Sequence, residues 1–211
     1  MTAVASTASS AAPARLAPVI AALTLTGLAA VQISGCTATS AGSASAGPAA
    51  GAGSARPTVE RPRELSLTGL DPCSLFTEAQ LDELRVNSTP HSEPVGRQGA
   101  TCSLDVDRSS PYHSYYVELV TDADLTEWTR GTRAEGVMVS ERVDVESYPA
   151  LLHYAKGSSA SDCETLVGVA RGQTLRVQFY PTDPGEFSQA RMCELARHAA
   201  TLAVKTLQGR R

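Results

Sequence analysis

Residues 163–179 read CETLVGVARGQTLRVQF. Cys163, Thr165, Val167 and Val169 recur at every second position, and so do Leu175, Val177 and Phe179 beyond the break at Arg171-Gly172-Gln173. A period of two puts each set on one face of an extended strand. A short glycine-containing break between two such runs predicts a β-hairpin. The same period appears on both sides. Cys102, Leu104 and Val106, and then Tyr115, Val117 and Leu119, predict two half-buried strands. Val137, Val139, Val143 and Val145 are expected to share one strand face, with another short strand over Leu151 to Ala155.

Helices frame these strands. Thr77 with Gln80 three residues on forms a capping box, and Phe76 can pack onto Leu81, which predicts a short helix from Glu78 to Val86. Asp124 to Arg133 reads as a weaker helix carrying Leu125 and Trp128. Asp183-Pro184-Gly185-Glu186 supplies a cap, a first-turn proline and an acid, and is expected to start the last helix. Along that helix Cys193, Ala196, Ala200, Ala203 and Leu207 make an apolar stripe, opposite Glu194, Arg197, Thr201 and Lys205. Hairpin-connected strands without a repeating strand-helix-strand unit predict an α+β fold. An antiparallel sheet of about five to six strands is packed by a short N-terminal helix and a long C-terminal helix.

The first third of the chain is different. Arg15 precedes a mainly Ala, Leu, Val and Ile run over residues 16–33, the layout of an export signal. It ends in Ile33-Ser34-Gly35-Cys36, which resembles a bacterial lipobox and predicts lipidation of Cys36 after removal of residues 1–35. Residues 36–66 then read as the lipidated cysteine and an Ala/Gly/Ser/Pro tether, too poor in apolar side chains to offset its ordering entropy. Residues 67–211 read as the globular domain. The expected location is the extracytoplasmic face of the cell membrane, held by acyl chains such as palmitate. The net charge is −4, so nucleic acid is not expected as a partner.

With Cys36 lipidated, Cys73, Cys102, Cys163 and Cys193 remain. Four cysteines in an exported chain predict two disulfides, with three connectivities open. Sequential pairing is favoured, because Cys102 and Cys163 share faces with core residues while Cys73 and Cys193 lie on the helical segments that must cover them. Taken together, Cys36, the tether, Asp71-Pro72-Cys73-Ser74-Leu75-Phe76-Thr77 and Cys193-Glu194-Leu195-Ala196 resemble an actinobacterial family of envelope lipoproteins built around a domain of unknown function. Leu104 stands where that family often carries tryptophan. The resemblance implies a surface lipoprotein and brings no catalytic residues.

No nucleophile elbow, phosphate loop, metal-binding His-Glu-x-x-His or cofactor motif occurs. His198 is expected to pair with Glu194 one helical turn away. Tyr112, His113 and Tyr116, with Trp128, form the candidate binding surface: an aromatic cluster in a chain with only 5% aromatic residues. The expected function is a non-enzymatic binding or accessory module whose partner is an envelope protein, a wall polymer or a small ligand. An extracellular hydrolase of wall or lipid substrates is the alternative.

Overall fold

Local capping sets the first elements. Asp71 accepts the Cys73 amide at the start of a 3-10 turn, Pro72–Leu75. Thr77 and Gln80 then exchange side-chain bonds with each other's backbone, the predicted capping box, and open helix α1, Glu78–Glu83. In the computed structural model, residues 60–94, 98–157 and 161–210 are described. Seven strands follow one rule of pairing, all antiparallel: β1 His91–Ser92, β2 Ala100–Val106, β3 His113–Val120, β4 Met138–Val145, β5 Tyr148–Ala155, β6 Cys163–Ala170 and β7 Gln173–Pro181. Their order across the sheet is β1-β2-β3-β7-β6-β5-β4. The seventh strand, beyond the five to six expected, is the two-residue β1 added beside β2. The predicted hairpin is β6–β7, with Thr165 opposite Val177 and Val167 opposite Leu175. β7 then lies along β3, Val117 facing Val177, and so joins the two halves of the sheet.

Helix α2, Leu125–Thr129, lies in the long connection from β3 to the far edge, and helix α3, Gln189–Gly209, closes the domain. One face of the sheet packs on α3 and α1. Tyr115, Val117, Val167, Leu175, Val177 and Phe179 there meet Met192, Ala196, Ala200, Ala203 and Leu207. The small side chains of the stripe let α3 sit close to the strands. Two disulfides tie helical segments to this same face: Cys73–Cys102 and Cys163–Cys193, the sequential pairing. On the opposite face α2 covers a smaller cluster of Val120, Leu151 and Leu166 with Leu125 and Trp128.

Three expectations are corrected. Helix α3 starts at Gln189, where Ser188 accepts the Arg191 amide as N-cap, and not at Asp183. Gly185 has φ of +86°, a left-handed turn conformation that no helix continues through. Val137 lies outside β4 and is 66% exposed, because the strand begins one residue later. His198 bonds Glu83 of α1 at 2.9 Å, while Glu194 pairs with Arg191 at 2.7 Å. The domain also reaches back before Leu67: the Leu65 amide bonds the Val169 carbonyl, and Arg61 bonds Asp124 at 2.7 Å and the Gly168 carbonyl at 2.7 Å. Among the described residues no helix is long and apolar enough to cross a membrane. The apolar run at residues 16–33 and Cys36 lie outside the described residues.

Candidate functional site: a cleft between two helices and a strand loop

The β2–β3 loop, the end of α1 and the start of α3 enclose a cleft of about 520 Å³. That is within the usual range for a small-molecule site. Its floor comes from β3. His113 donates its Nδ1–H to the Pro111 carbonyl at 2.8 Å, which leaves Nε2 as an acceptor with no protein partner among the described residues. The ring packs against Phe179 at 4.9 Å and against Phe187 and Tyr115 at 5.5 Å. Burial holds the imidazole below its ordinary pKa; the Pro111 carbonyl opposes this and the charge of Arg85 adds to it. Two positions on, the Tyr115 hydroxyl is pushed up to about 12 by burial, against the nearby charges of Arg191 and Arg85. The floor is therefore neutral at physiological pH and offers one acceptor and one hydroxyl.

The walls are fixed by separate devices. Asn87 stitches the chain after α1 to the loop: its Oδ1 accepts the Asp107 and Arg108 amides at 3.0 and 3.2 Å, and its Nδ2 bonds Ser109 at 3.1 Å. Helix α1 ends in a Schellman motif, with the Val86 amide on the Leu81 carbonyl and the Arg85 amide on that of Asp82. Arg85 occupies its left-handed position, with φ of 61°. On the α3 side, Phe187 and Leu195 supply apolar surface and Arg191 a cation that Glu194 neutralises. A broader groove of about 720 Å³ on the far flank of α3, past Leu152 and Tyr154, holds no buried titratable group.

The candidate aromatic surface is not one surface. His113 goes into the cleft, with only 7% of its area exposed. Tyr112 is 41% exposed at the loop. Strand alternation sends Tyr116 to the opposite face, where its ring lies 6.4 Å from that of Tyr180. Trp128 is on that opposite face too, 4% exposed and packed in the α2 cluster. Tyr112 and His113 share the lining of a shallow pocket beside β3, whereas Tyr116 and Trp128 lie across the sheet from both.

That opposite face carries a second polar arrangement, a row across four strands. Arg176 of β7 donates to Glu118 of β3 at 2.7 Å and to Glu164 of β6 at 2.9 Å through Nε, with a further Nη2 bond to Glu164. His153 of β5 stands 3.5 Å from Glu164. Glu118 also accepts the Gln98 and Gly99 amides, the latter at 2.7 Å. Gly99 can approach because it lacks a side chain; a Cβ there would lie 2.2 Å from the Leu119 carbonyl oxygen. Burial works against the charge on Glu164, but the adjacent His153 and the bonds from Arg176 outweigh it and hold the carboxyl below its ordinary value. Burial likewise opposes the Arg176 charge, and Glu164 and then Glu118 hold it above its ordinary value. Trp128 covers the row, its ring 5.8 Å from the Arg176 guanidinium and 6.0 Å from His153. Its partners being internal, the row reads as part of the frame. Among the described residues no group of His, Cys, Asp and Glu could hold a metal ion.

An all-antiparallel sheet with two disulfides and a helix-lined cleft defines a small α+β module. Residues 31–206 match the model of a family described as protein of unknown function (DUF3558), and the chain belongs to that family. No curated protein and no solved structure matches it.

Proposed function

We propose that this chain is a lipid-anchored extracytoplasmic module of the cell envelope that acts by binding, with the cleft over His113 and Tyr115 as its ligand site. The observation that carries the placement is cysteine use. Four of five cysteines are paired as two cystines, so Cys36, behind its export-like run, is the one left for another chemistry. Cystines of this kind persist in oxidising compartments. The family match also begins at residue 31 and so takes in Ile33-Ser34-Gly35-Cys36. The binding role rests on the cleft, whose neutral floor is ringed by apolar and charged side chains together, a mixture that suits recognition. Its histidine is oriented by a backbone carbonyl, where an acid–base dyad would use a carboxylate.

The test is growth of the producing cell with an alkyne fatty acid. The chain should take the label and sediment with membranes, and Cys36→Ser should do neither. An unlabelled wild-type chain with a freely alkylating Cys36 thiol refutes the anchor. Labelling of one serine by a fluorophosphonate probe, lost when that serine is replaced, refutes the non-enzymatic role.

A further inference from the structure

Arg85 is out of keeping with its backbone. The left-handed end of a Schellman motif is ordinarily glycine, since any other residue pays a steric cost there. The other non-glycine residues with positive φ, Glu146 and Ser147, are consecutive in the tight turn between β4 and β5, whose geometry requires the left-handed region twice. Arg85 has no such excuse, because glycine would build the same motif at less strain. Strain kept at the mouth of a cavity points to a use for the side chain.

The charges around it indicate what use. Glu194 is held by Arg191 and Glu83 by His198, whereas Arg85 forms no ion pair among the described residues. Beneath it lie the neutral floor and the apolar side chains of Leu84, Val106 and Phe187. Resting on the reading of the cleft as the ligand site, we infer that its ligand is a small organic acid with an apolar body, its anionic head taken by Arg85 and its body seated over His113 and Tyr115. A cationic ligand would meet Arg85 and gain nothing from the floor. A neutral one would leave the guanidinium unused.

The full chain in nanodiscs, with empty nanodiscs as blank, is titrated by ¹⁹F NMR with three probes: 4-(trifluoromethyl)phenylacetate, the corresponding aryl phosphate, and the neutral amide of the first. Both anions should bind, at least about tenfold more tightly than the amide, as expected for one charge-assisted hydrogen bond. The tighter of the two anions tells a carboxylate source from a phosphate source. Arg85→Gly should erase the preference for the anions while raising the denaturation midpoint, so the loss cannot be unfolding. Leu195→Trp, which fills the cleft from a partly exposed helix position, should abolish binding of all three. Anion binding that survives Leu195→Trp refutes the cleft as the site. Binding lost in Leu195→Trp but unchanged in Arg85→Gly, or equal for acid and amide, overturns the acid and leaves the cleft. No binding by either anion overturns the inference outright.

Discussion

Replacing Arg176 by methionine tests the charge row most directly. The side chain has similar length and fits an apolar environment, so the variant removes the cation with little change in volume. Glu118 and Glu164 are 1% and 4% exposed, and each loses its bonds to the guanidinium. Removing one partner of a buried ion pair costs about 3–5 kcal/mol, because a desolvated charge is left behind. Glu118 keeps two backbone amides and Glu164 keeps the His153 contact, which argues for the lower half of that range. A loss of about 3–4 kcal/mol is a large share of a typical 5–15 kcal/mol stability. With a urea m-value of about 2 kcal/mol/M, the midpoint should fall by roughly 2 M.

The pH dependence gives the cause. In the wild type the Glu164 carboxyl is held below its ordinary value, so its contribution is present above about pH 4.5 and is lost as pH falls through the lower folded value. Without Arg176, burial dominates and the folded value rises, so the variant regains stability on mild acidification while the wild type does not. The difference in midpoints should therefore shrink between about pH 7 and pH 4.5, and adding Glu164→Gln to the variant should recover much of the loss at pH 7. A loss under about 1 kcal/mol, or one constant with pH, would refute the view that the row holds uncompensated charge when Arg176 is removed.

Three further outcomes are expected. Tyr115, at about 12 folded against 10 unfolded, favours the neutral fold, so stability should fall by about 2–3 kcal/mol as pH rises between those values; denaturation of Tyr115→Phe should lack that slope. Replacing Cys163 and Cys193 by serine opens a loop with a sequence separation of 30, for a loss of about 3–4 kcal/mol in the chain-entropy model, measurable as a lowered urea midpoint. Ser188→Ala should cost about 1 kcal/mol as loss of an N-cap, whereas Asp183→Ala should leave the midpoint within about 0.5 kcal/mol.

What the sequence could and could not tell follows from the range of each interaction. The β6–β7 hairpin, the capping box at Thr77 and the alanine stripe of α3 are written in residues close in sequence, and each forms as read. Asp183-Pro184-Gly185 imitates a helix start, but the left-handed Gly185 makes it a turn, and α3 begins only at Gln189. The charge row was less visible, since its members come from four strands and each alone passes for a solvent-facing residue in an alternating run. The sign available was chemical: Glu164 and Arg176 sit within strands where both faces are covered. The cleft was half legible. The aromatic run points to His113, but strand parity sends Tyr116 to the other face, and Tyr115, buried in the core as its place in the alternating run implies, also forms part of the cleft floor. Nothing in the local pattern at Arg85 announces a left-handed backbone, because arginine is common at helix ends.

The frame and the cleft divide the work of the fold. Cys73–Cys102 and Cys163–Cys193 pin the segments flanking the cleft, one just before α1 and one in the first turns of α3, to strands of a single sheet. The third wall, the β2–β3 loop, is held to the end of α1 by Asn87. Each wall is thus anchored independently of any ligand, and little ordering entropy remains to be lost on binding. This explains how the domain can carry a left-handed arginine at the rim: the capping bonds around Arg85 and the Asn87 bridge to the β2–β3 loop restrain the helix end enough to hold it there. Cutting the Cys73–Cys102 bond should therefore weaken acid binding as well as stability, whereas Ser188→Ala, which loosens only a cap, should affect stability alone. Parallel denaturation and ¹⁹F titration of the two variants separate these effects, and equal binding losses in both would mean that the cleft is shaped by overall stability and not by its own crosslink.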